Sequence, residues 1–362
     1  MKKIISFPHL GNYYHPISKL LKNITKEKIM VAPPITKKTL EIGTKHSPDT
    51  VCIPFKYNLG NFIESLNNGA NILFTAGGGC RYRYYAEVTE TILKDLGYNF
   101  KFYKLIKKDK MKIKEIYHMF KEINPKLTYK DFFHHFIFAI IYVFYMDQID
   151  KIIRKNIGFE TITGSHEKLQ KQMFIDFNKT NSIFKLTNLY IKYKNKFKKI
   201  NISKPKNCLK VGIIGELYTN MESFANYDLE KELAKEKIEI KRFTNLSYLL
   251  WQKKLLLKHM RRKVKKYCKY MLGADALDNI YRTLYLSKKN YDGIIHIKPF
   301  GCTPEITAIP IIQKICEDNK IPIIFFSYDE ESGTEGIKTR LEAFKDLITI
   351  RRENNEKSLF RN

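Results

Sequence analysis

An apolar, β-branched run that breaks into a cysteine turn and then into a helix constrains this chain more than any other feature. Tyr291-Asp292-Gly293-Ile294-Ile295-His296-Ile297 has the pattern of a buried strand. Lys298-Pro299-Phe300-Gly301-Cys302-Thr303-Pro304-Glu305 follows, and Ile306 to Cys316 is apolar at helical spacing. Pro304 suits a first helical turn, where a missing N–H costs nothing. Cys302 is therefore expected where the carboxyl end of a strand meets a helix N-terminus. Open α/β sheets bind ligands there, and the helix end favours a thiolate over a thiol. A small residue filling a turn is the plain alternative.

Two echoes lie near the front. Cys52-Ile53-Pro54 repeats the Cys-x-Pro pattern ahead of a helix expected from Phe55 to about Leu66. Asn71 to Thr75 reads as a strand, followed by Ala76-Gly77-Gly78-Gly79-Cys80 and a helix from Tyr85 to Leu96 that Gly97 caps. The glycines permit a tight turn and close approach to a bulky group. Cys52, Cys80 and Cys302 thus all precede helices, which points to shared ligation of one soft metal centre. Three distant thiolates suit an iron–sulfur cluster with one iron held differently; zinc with a fourth, non-thiolate ligand stays open. Cys208, Cys268 and Cys316 lack such turns and are expected to be buried hydrophobes.

Alternation of strand and helix elsewhere predicts an α/β chain. Two Rossmann-like, doubly wound parallel-sheet domains are expected over residues 1–106, carrying Cys52 and Cys80, and 205–362, carrying Cys302. Between them, 107–204 shows few strand signals and apolar residues at three and four, so a helical domain is expected. Phe132, Phe133, Phe136 and Ile140 are assigned to one core-facing side of it. Strands are expected at Ile4–Phe7, Ile29–Val31, Asn99–Tyr103, Leu209–Gly215, Ile238–Ile240 and Ile321–Phe326. A long helical stretch is expected from Leu246 to Tyr270. Glu216 follows one strand, and the acidic loop with Asp329 and Glu330 follows another. These three carboxylates are candidate proton-handling groups, with hydrogen-bonding or helix N-terminal charges as the alternative.

The 65 Lys+Arg against 37 Asp+Glu give a formal net charge of +28. Only eleven of the 65 are Arg, the residue suited to bidentate phosphate and base contacts. No specific nucleic-acid partner is expected, and a basic nucleic-acid-binding protein is the weakest of the functional alternatives. The run Arg261 to Lys266 reads as a solvated face, with docking of an acidic partner as the alternative. Phe132 to Tyr145 is too short for a membrane span, so no membrane is expected. Lys2 and Lys3 precede an apolar run broken by Pro8 and His9, which reads against a secretory signal. A cytoplasm with reduced thiols is therefore expected. A phosphate-cradling loop, a Gly-x-Ser-x-Gly elbow and paired Cys-x-x-Cys sets do not occur.

Several stretches together resemble the 2-hydroxyacyl-CoA dehydratase D-component family, related to benzoyl-CoA reductase subunits. They look most like its stand-alone branch of acyl-CoA dehydratase activase-related proteins. The stretches are Phe7 through Tyr14, Cys52 through Lys56, Gly60-Asn61-Phe62-Ile63-Glu64 and Gly78 through Tyr85. The second half adds Gly215 through Tyr218, His296 through Glu305, and Asp329-Glu330 through Arg340-Leu341-Glu342-Ala343-Phe344. The resemblance implies a [4Fe-4S] cluster on Cys52, Cys80 and Cys302, with Gly78, Gly79, Arg81 and Gly301 beside the cofactor. It implies low-potential electron transfer from an ATP-hydrolysing activator to an acyl-CoA, in anaerobic chemistry of a dehydratase-like lyase or an ATP-dependent reductase. A pair with a related subunit, or a homodimer, is the implied assembly. A non-catalytic cluster carrier or scaffold is the alternative. The chain departs from the family pattern where Gly79 replaces a proline and Arg83 a glycine.

Overall fold

A computed structural model describes residues 2–77, 80–105 and 112–359. They divide into two compact units, one from residues 1–146 with 171–193, the other from 147–170 with 194–362. The first unit opens with β1 (Ile4–Phe7), α1 (Tyr14–Thr25), β2 (Lys28–Val31), α2 (Lys37–His46) and α3 (Ile53–Asn67). It continues with β3 (Ile72–Thr75), a 3-10 turn (Arg81–Tyr84), α4 (Tyr85–Asp95) and β4 (Lys101–Lys104). Next come α5 (Ile113–Ile123), α6 (Tyr129–Asn156), α7 (Ser165–Lys179) and α8 (Ile183–Lys198), whose residues contribute to both units.

The second unit carries β5 (Lys210–Gly215), α9 (Leu217–Met221), α10 (Leu229–Lys235) and β6 (Glu239–Arg242). Then follow a π-helical turn (Tyr248–Gln252), α11 (Lys253–Val264), α12 (Ala276–Ser287), β7 (Gly293–Pro299), α13 (Thr303–Asp318), β8 (Ile323–Tyr328) and α14 (Thr334–Leu359). The long helix expected from Leu246 to Tyr270 is thus α11 entered through a π turn. Among the described residues no helix is long and apolar enough to cross a membrane.

Each unit holds a four-stranded, wholly parallel sheet, in the orders β2-β1-β3-β4 and β6-β5-β7-β8. This is the expected α/β architecture of two Rossmann-like sheets. In both, the chain steps outward to one side and then returns past its first strand. The reversal falls between β1 and β3 in one unit and between β5 and β7 in the other, and the crevice at such a point is the usual ligand site. The inner strands are covered on both faces, so their side chains alternate between two apolar layers. On one face Val211, Ile213, Ile295 and Ile297 pack with Leu229 and Leu233 of α10 and Phe344 and Ile348 of α14. On the other, Ile214 and Ile294 pack with Ile280 of α12 and Ile312 and Ile315 of α13. The first sheet does likewise, Phe7 and Phe74 meeting α1 and α5 while Leu73 meets α3 and α4.

Consecutive residues of a helix point about 100° apart. Phe132 is accordingly buried on α6, whereas its neighbour Phe133 is 42% exposed, so the single face assigned to both does not exist. Gly60 belongs to α3 for a packing reason. A Cβ built on it would lie 2.0 Å from the Thr39 carbonyl oxygen of α2, and one on Gly43 would lie 1.8 Å from that of Lys56. The neighbours of Gly60 in sequence tie the crossing together: Thr39 Oγ1 donates to Glu64 at 3.0 and 3.1 Å. Buried Asn61 accepts from the His9 N–H at 2.8 Å and donates to the Pro33 carbonyl at 3.0 Å.

Gly60→Ala should therefore destabilise the protein by about 1–3 kcal/mol through overpacking against backbone. Gly336→Ala, in the first turn of α14 with nothing within 4 Å, should be neutral or stabilising by up to about 1 kcal/mol. Urea unfolding of both variants checks this; equal midpoints would remove the close-crossing explanation.

Candidate metal centre

In a parallel α/β unit, helices begin at the carboxyl edge of the sheet, because each must carry the chain back across it. Cys52 is the N-cap of α3 with Pro54 behind it, Cys80 the N-cap of the 3-10 turn, and Cys302 the N-cap of α13 with Pro304 behind it. Cys80 follows β3 and Cys302 follows β7, each one of the strands that flank its sheet's reversal point. Cys52 and Cys302 are half-buried and Cys80 is exposed, while Cys208, Cys268 and Cys316 are buried.

Cys52 and Cys80 share a tyrosine pair. The Cys52 sulfur lies 3.2 Å from the Tyr85 hydroxyl, and its N–H donates to that oxygen at 3.3 Å. Burial, with Cys52 adding to it, pushes the Tyr85 phenol above its ordinary range, so it remains a proton donor at neutral pH. Tyr82 packs against Tyr85 with ring centroids 5.2 Å apart, and its N–H donates to the Cys80 sulfur at 3.4 Å. The amide of Asn58 donates to the Tyr82 hydroxyl. Arg81 is exposed in this turn. Gly78 and Gly79, the candidate cofactor-binding glycines, lie outside the described residues.

Cys302 stands in the second unit. Its N–H donates to the Pro299 carbonyl at 3.2 Å, and Gly301 completes the half-buried turn before it. Phe300 is 68% exposed beside it. Lys298 is buried beneath, its ammonium donating to the Phe300 carbonyl at 3.2 Å. Burial lowers the Lys298 pKa, and the negative charge of Cys302 and Glu305 opposes that fall. Among the described residues, no three or more His, Cys, Asp or Glu side chains form a group that could hold a metal ion. The donors nevertheless suit an iron–sulfur cluster in kind. They are thiols at helix N-caps, with the Tyr82 N–H donating to one sulfur and the Tyr85 hydroxyl within hydrogen-bond distance of another. The buried cysteines do not suit one: the Cys316 thiol is pushed up to about 12 by burial, and Cys268 donates to the Tyr270 carbonyl.

The carboxylates sort differently. Gly215 has φ +130°, and a Cβ there would sit 1.8 Å from the Ile297 carbonyl oxygen, so only glycine makes this turn. The turn sets half-buried Glu216 as N-cap of α9, accepting from the Tyr218 and Thr219 N–H groups at 2.9 Å and the Thr219 hydroxyl at 2.8 Å. Burial pushes its carboxyl up to about 7 against the pull of those donors, with Asp275 adding to the rise. Asp329 closes its own turn, accepting from the Ser332 hydroxyl at 2.8 Å and the Glu331 N–H at 3.2 Å. Glu330 is exposed at the same turn.

A polar group behind Cys302 escaped the sequence assignments. Glu305, only 1% exposed, lies 2.7 Å from His296 Nε2 and accepts from the Asn279 amide at 2.9 Å on both oxygens. Asn279 in turn accepts from the Gly215 N–H and from Arg282, both at 3.2 Å. His296 follows Ile294 on the face of β7 that meets α12 and α13. The period of two along the strand was the one available signal, and it could not name the partner.

The fold and these turns define a class: a two-unit α/β protein with cysteine turns at the carboxyl ends of its sheets. Residues 253–348, about a quarter of the chain, match the family model described as 2-hydroxyglutaryl-CoA dehydratase, D-component. The match supports the family resemblance and takes in Cys302, Glu305, His296 and Asn279, but not Cys52 or Cys80. No curated protein matches the chain.

The raised pKa of Glu216 has a stability consequence. Its unfolded value is about 4.3, so between there and about 7 only the unfolded chain releases the proton. This contribution is present below the unfolded value and is lost as pH rises through the folded one. Glu216→Gln lacks the loss. The difference in urea unfolding free energy between variant and wild type should therefore move in the variant's favour from about pH 5 to about pH 8. A difference that stays flat with pH would contradict a raised Glu216.

Proposed function

We propose that Cys52, Cys80 and Cys302 ligate one [4Fe-4S]-type cluster and that the chain is a low-potential electron-transfer component acting on an acyl-CoA. The observation that carries this is the sorting of the six cysteines. Three are N-caps of helical turns, two of them after strands, and three are buried. The family match over residues 253–348 supports the same reading. An oxygen-sensitive cluster fits a reducing cytoplasm, and pairing with a related subunit or a second copy is part of the proposal. Gly78, Gly79 and Arg81 adjoin Cys80 in sequence and Gly301 adjoins Cys302, and so would line the cofactor.

When bound, such a cluster supplies one-electron transfer, at a potential set within about −700 to +450 mV by hydrogen bonds, charge and exposure. The chain's own groups bias that choice. The Tyr85 hydroxyl and the Tyr82 N–H are donors to sulfur and stabilise the more negative, reduced form, which raises the potential. A thioester carbonyl is hard to reduce. An external energy source must then load the electron, which is why an ATP-hydrolysing activator is the proposed partner. Glu216, with its carboxyl near 7, is suited to holding or releasing a proton at neutral pH. Asp329 and Glu330 are offered for the same role from the turn after β8.

Each of Cys52→Ser, Cys80→Ser and Cys302→Ser should bleach the near-visible absorption of the anaerobically reconstituted protein and lower its iron and sulfide. Serine at 208, 268 or 316 should leave both intact. Full iron retention after Cys302→Ser defeats the ligand assignment. Electron transfer is tested by mixing reduced activator, ATP and the chain, then following the cluster by EPR with and without a 2-hydroxyacyl-CoA. Faster reoxidation with the thioester is expected. Reduction without that acceleration makes the chain a carrier, and no reduction at all ends the electron-transfer proposal.

A further inference from the structure

Glu305 is the third residue of α13, counting from Thr303 after the N-cap Cys302. A carboxylate at that position commonly turns back to the N-cap N–H. Here that N–H is already taken by the Pro299 carbonyl, and the carboxylate points inward to His296 and Asn279. Taking a carboxylate out of water costs several kcal/mol in general, and the cost is recovered only where its partners are well placed. Simple helix capping does not require this arrangement. What it achieves is a bridge. One end holds the first turn of α13, directly behind Cys302. The other reaches, through Asn279, the N–H of Gly215, directly before Glu216. The two turns at the reversal point of the second sheet are thereby fixed to one another and to α12. Arg282, itself buried, donates to the same Asn279 oxygen and to the Thr244 hydroxyl at 2.7 Å, so Asn279 cannot swing away.

We propose that Glu305, with Asn279, is a positioning residue. It sets the Cys302 turn against the Glu216 turn and places a buried carboxylate one helical turn behind the proposed cluster ligand. This rests on the proposed role of Cys302 as a ligand. A buried negative charge near a cluster opposes further reduction, so the pair both orients the ligand and holds the potential down, counter to the donors around Cys52 and Cys80.

Two measurements separate the parts. In the chain without iron, Glu305→Ala should speed amide hydrogen exchange at Gly215 and across 303–307 while leaving 53–60 unchanged. Should that variant fail to fold, Asn279→Ala must speed exchange at Gly215. In the reconstituted protein, Glu305→Gln keeps the shape and one accepting oxygen for the Asn279 amide but removes the charge. It should retain wild-type iron content while the midpoint potential shifts to a more positive value. Unchanged exchange, or an unchanged potential with full iron, overturns the proposal. If the wild-type chain takes up no iron, the proposed function fails instead, and the exchange measurement alone decides the bridge.

Discussion

Parallel pairing is the constraint on which the rest depends. A parallel strand cannot be reached by a tight turn, so every connection crosses the sheet, and every crossing helix begins at the sheet's carboxyl edge. That edge therefore collects the helix N-termini, with their unpaired N–H groups and positive dipole ends. A residue whose chemistry needs a negative form is best kept there. Cys52, Cys80, Cys302 and Glu216 all sit as N-caps on that edge of their own sheets. Their side chains stand at helix starts, apart from the apolar layers that α10, α12, α13 and α14 build on the second sheet.

Those layers were legible in the sequence because burial on both faces leaves a continuous β-branched run that alternation cannot imitate. Ile4–Phe7 is β1 residue for residue, and Ile294 to Ile297 lie within β7 as expected. The Cys-x-Pro signatures located the N-caps of α3 and α13 for an equally local reason, since proline is tolerated in a first turn and hardly elsewhere in a helix. Helix lengths were less legible. α3 begins at Ile53, two residues before the expected Phe55, because Pro54 lies within its first turn. Phe133 was misassigned to the core because an apolar residue next to an apolar residue carries no phase of its own.

The buried polar contacts were not legible, and the reason is distance along the chain. Glu305 meets Asn279 across 26 residues, and Asn279 meets Gly215 across 64. No local pattern distinguishes an asparagine that closes a buried network from one on a surface turn. The same holds for Asn61, which joins His9 and Pro33 and makes sense of the Gly60 to Glu64 stretch only once the helices cross. Charge told as little. The run Arg261 to Lys266 resolves into exposed cations around buried Val264, an ordinary amphipathic helix end.

The two sheets share one strand order but not one set of donors. The helix that leads into the third strand is α3 in the first unit and α12 in the second, and their N-caps are Cys52 and Asp275. Asp275 is bound by the Lys253 ammonium at 3.0 Å, which also donates to the Ala274 carbonyl at 2.6 Å. The same ammonium also pairs with the buried Asp278 at 2.5 Å, so one lysine serves both carboxylates. At the next position, after the third strand, both units carry cysteine. The repeated topology thus carries a cysteine N-cap after the third strand of both sheets, whereas the helix before that strand is capped by Cys52 in one unit and by Asp275 in the other. In the proposed cluster, three thiolates would leave one iron without a cysteine, which is the vacancy that substrate chemistry would need.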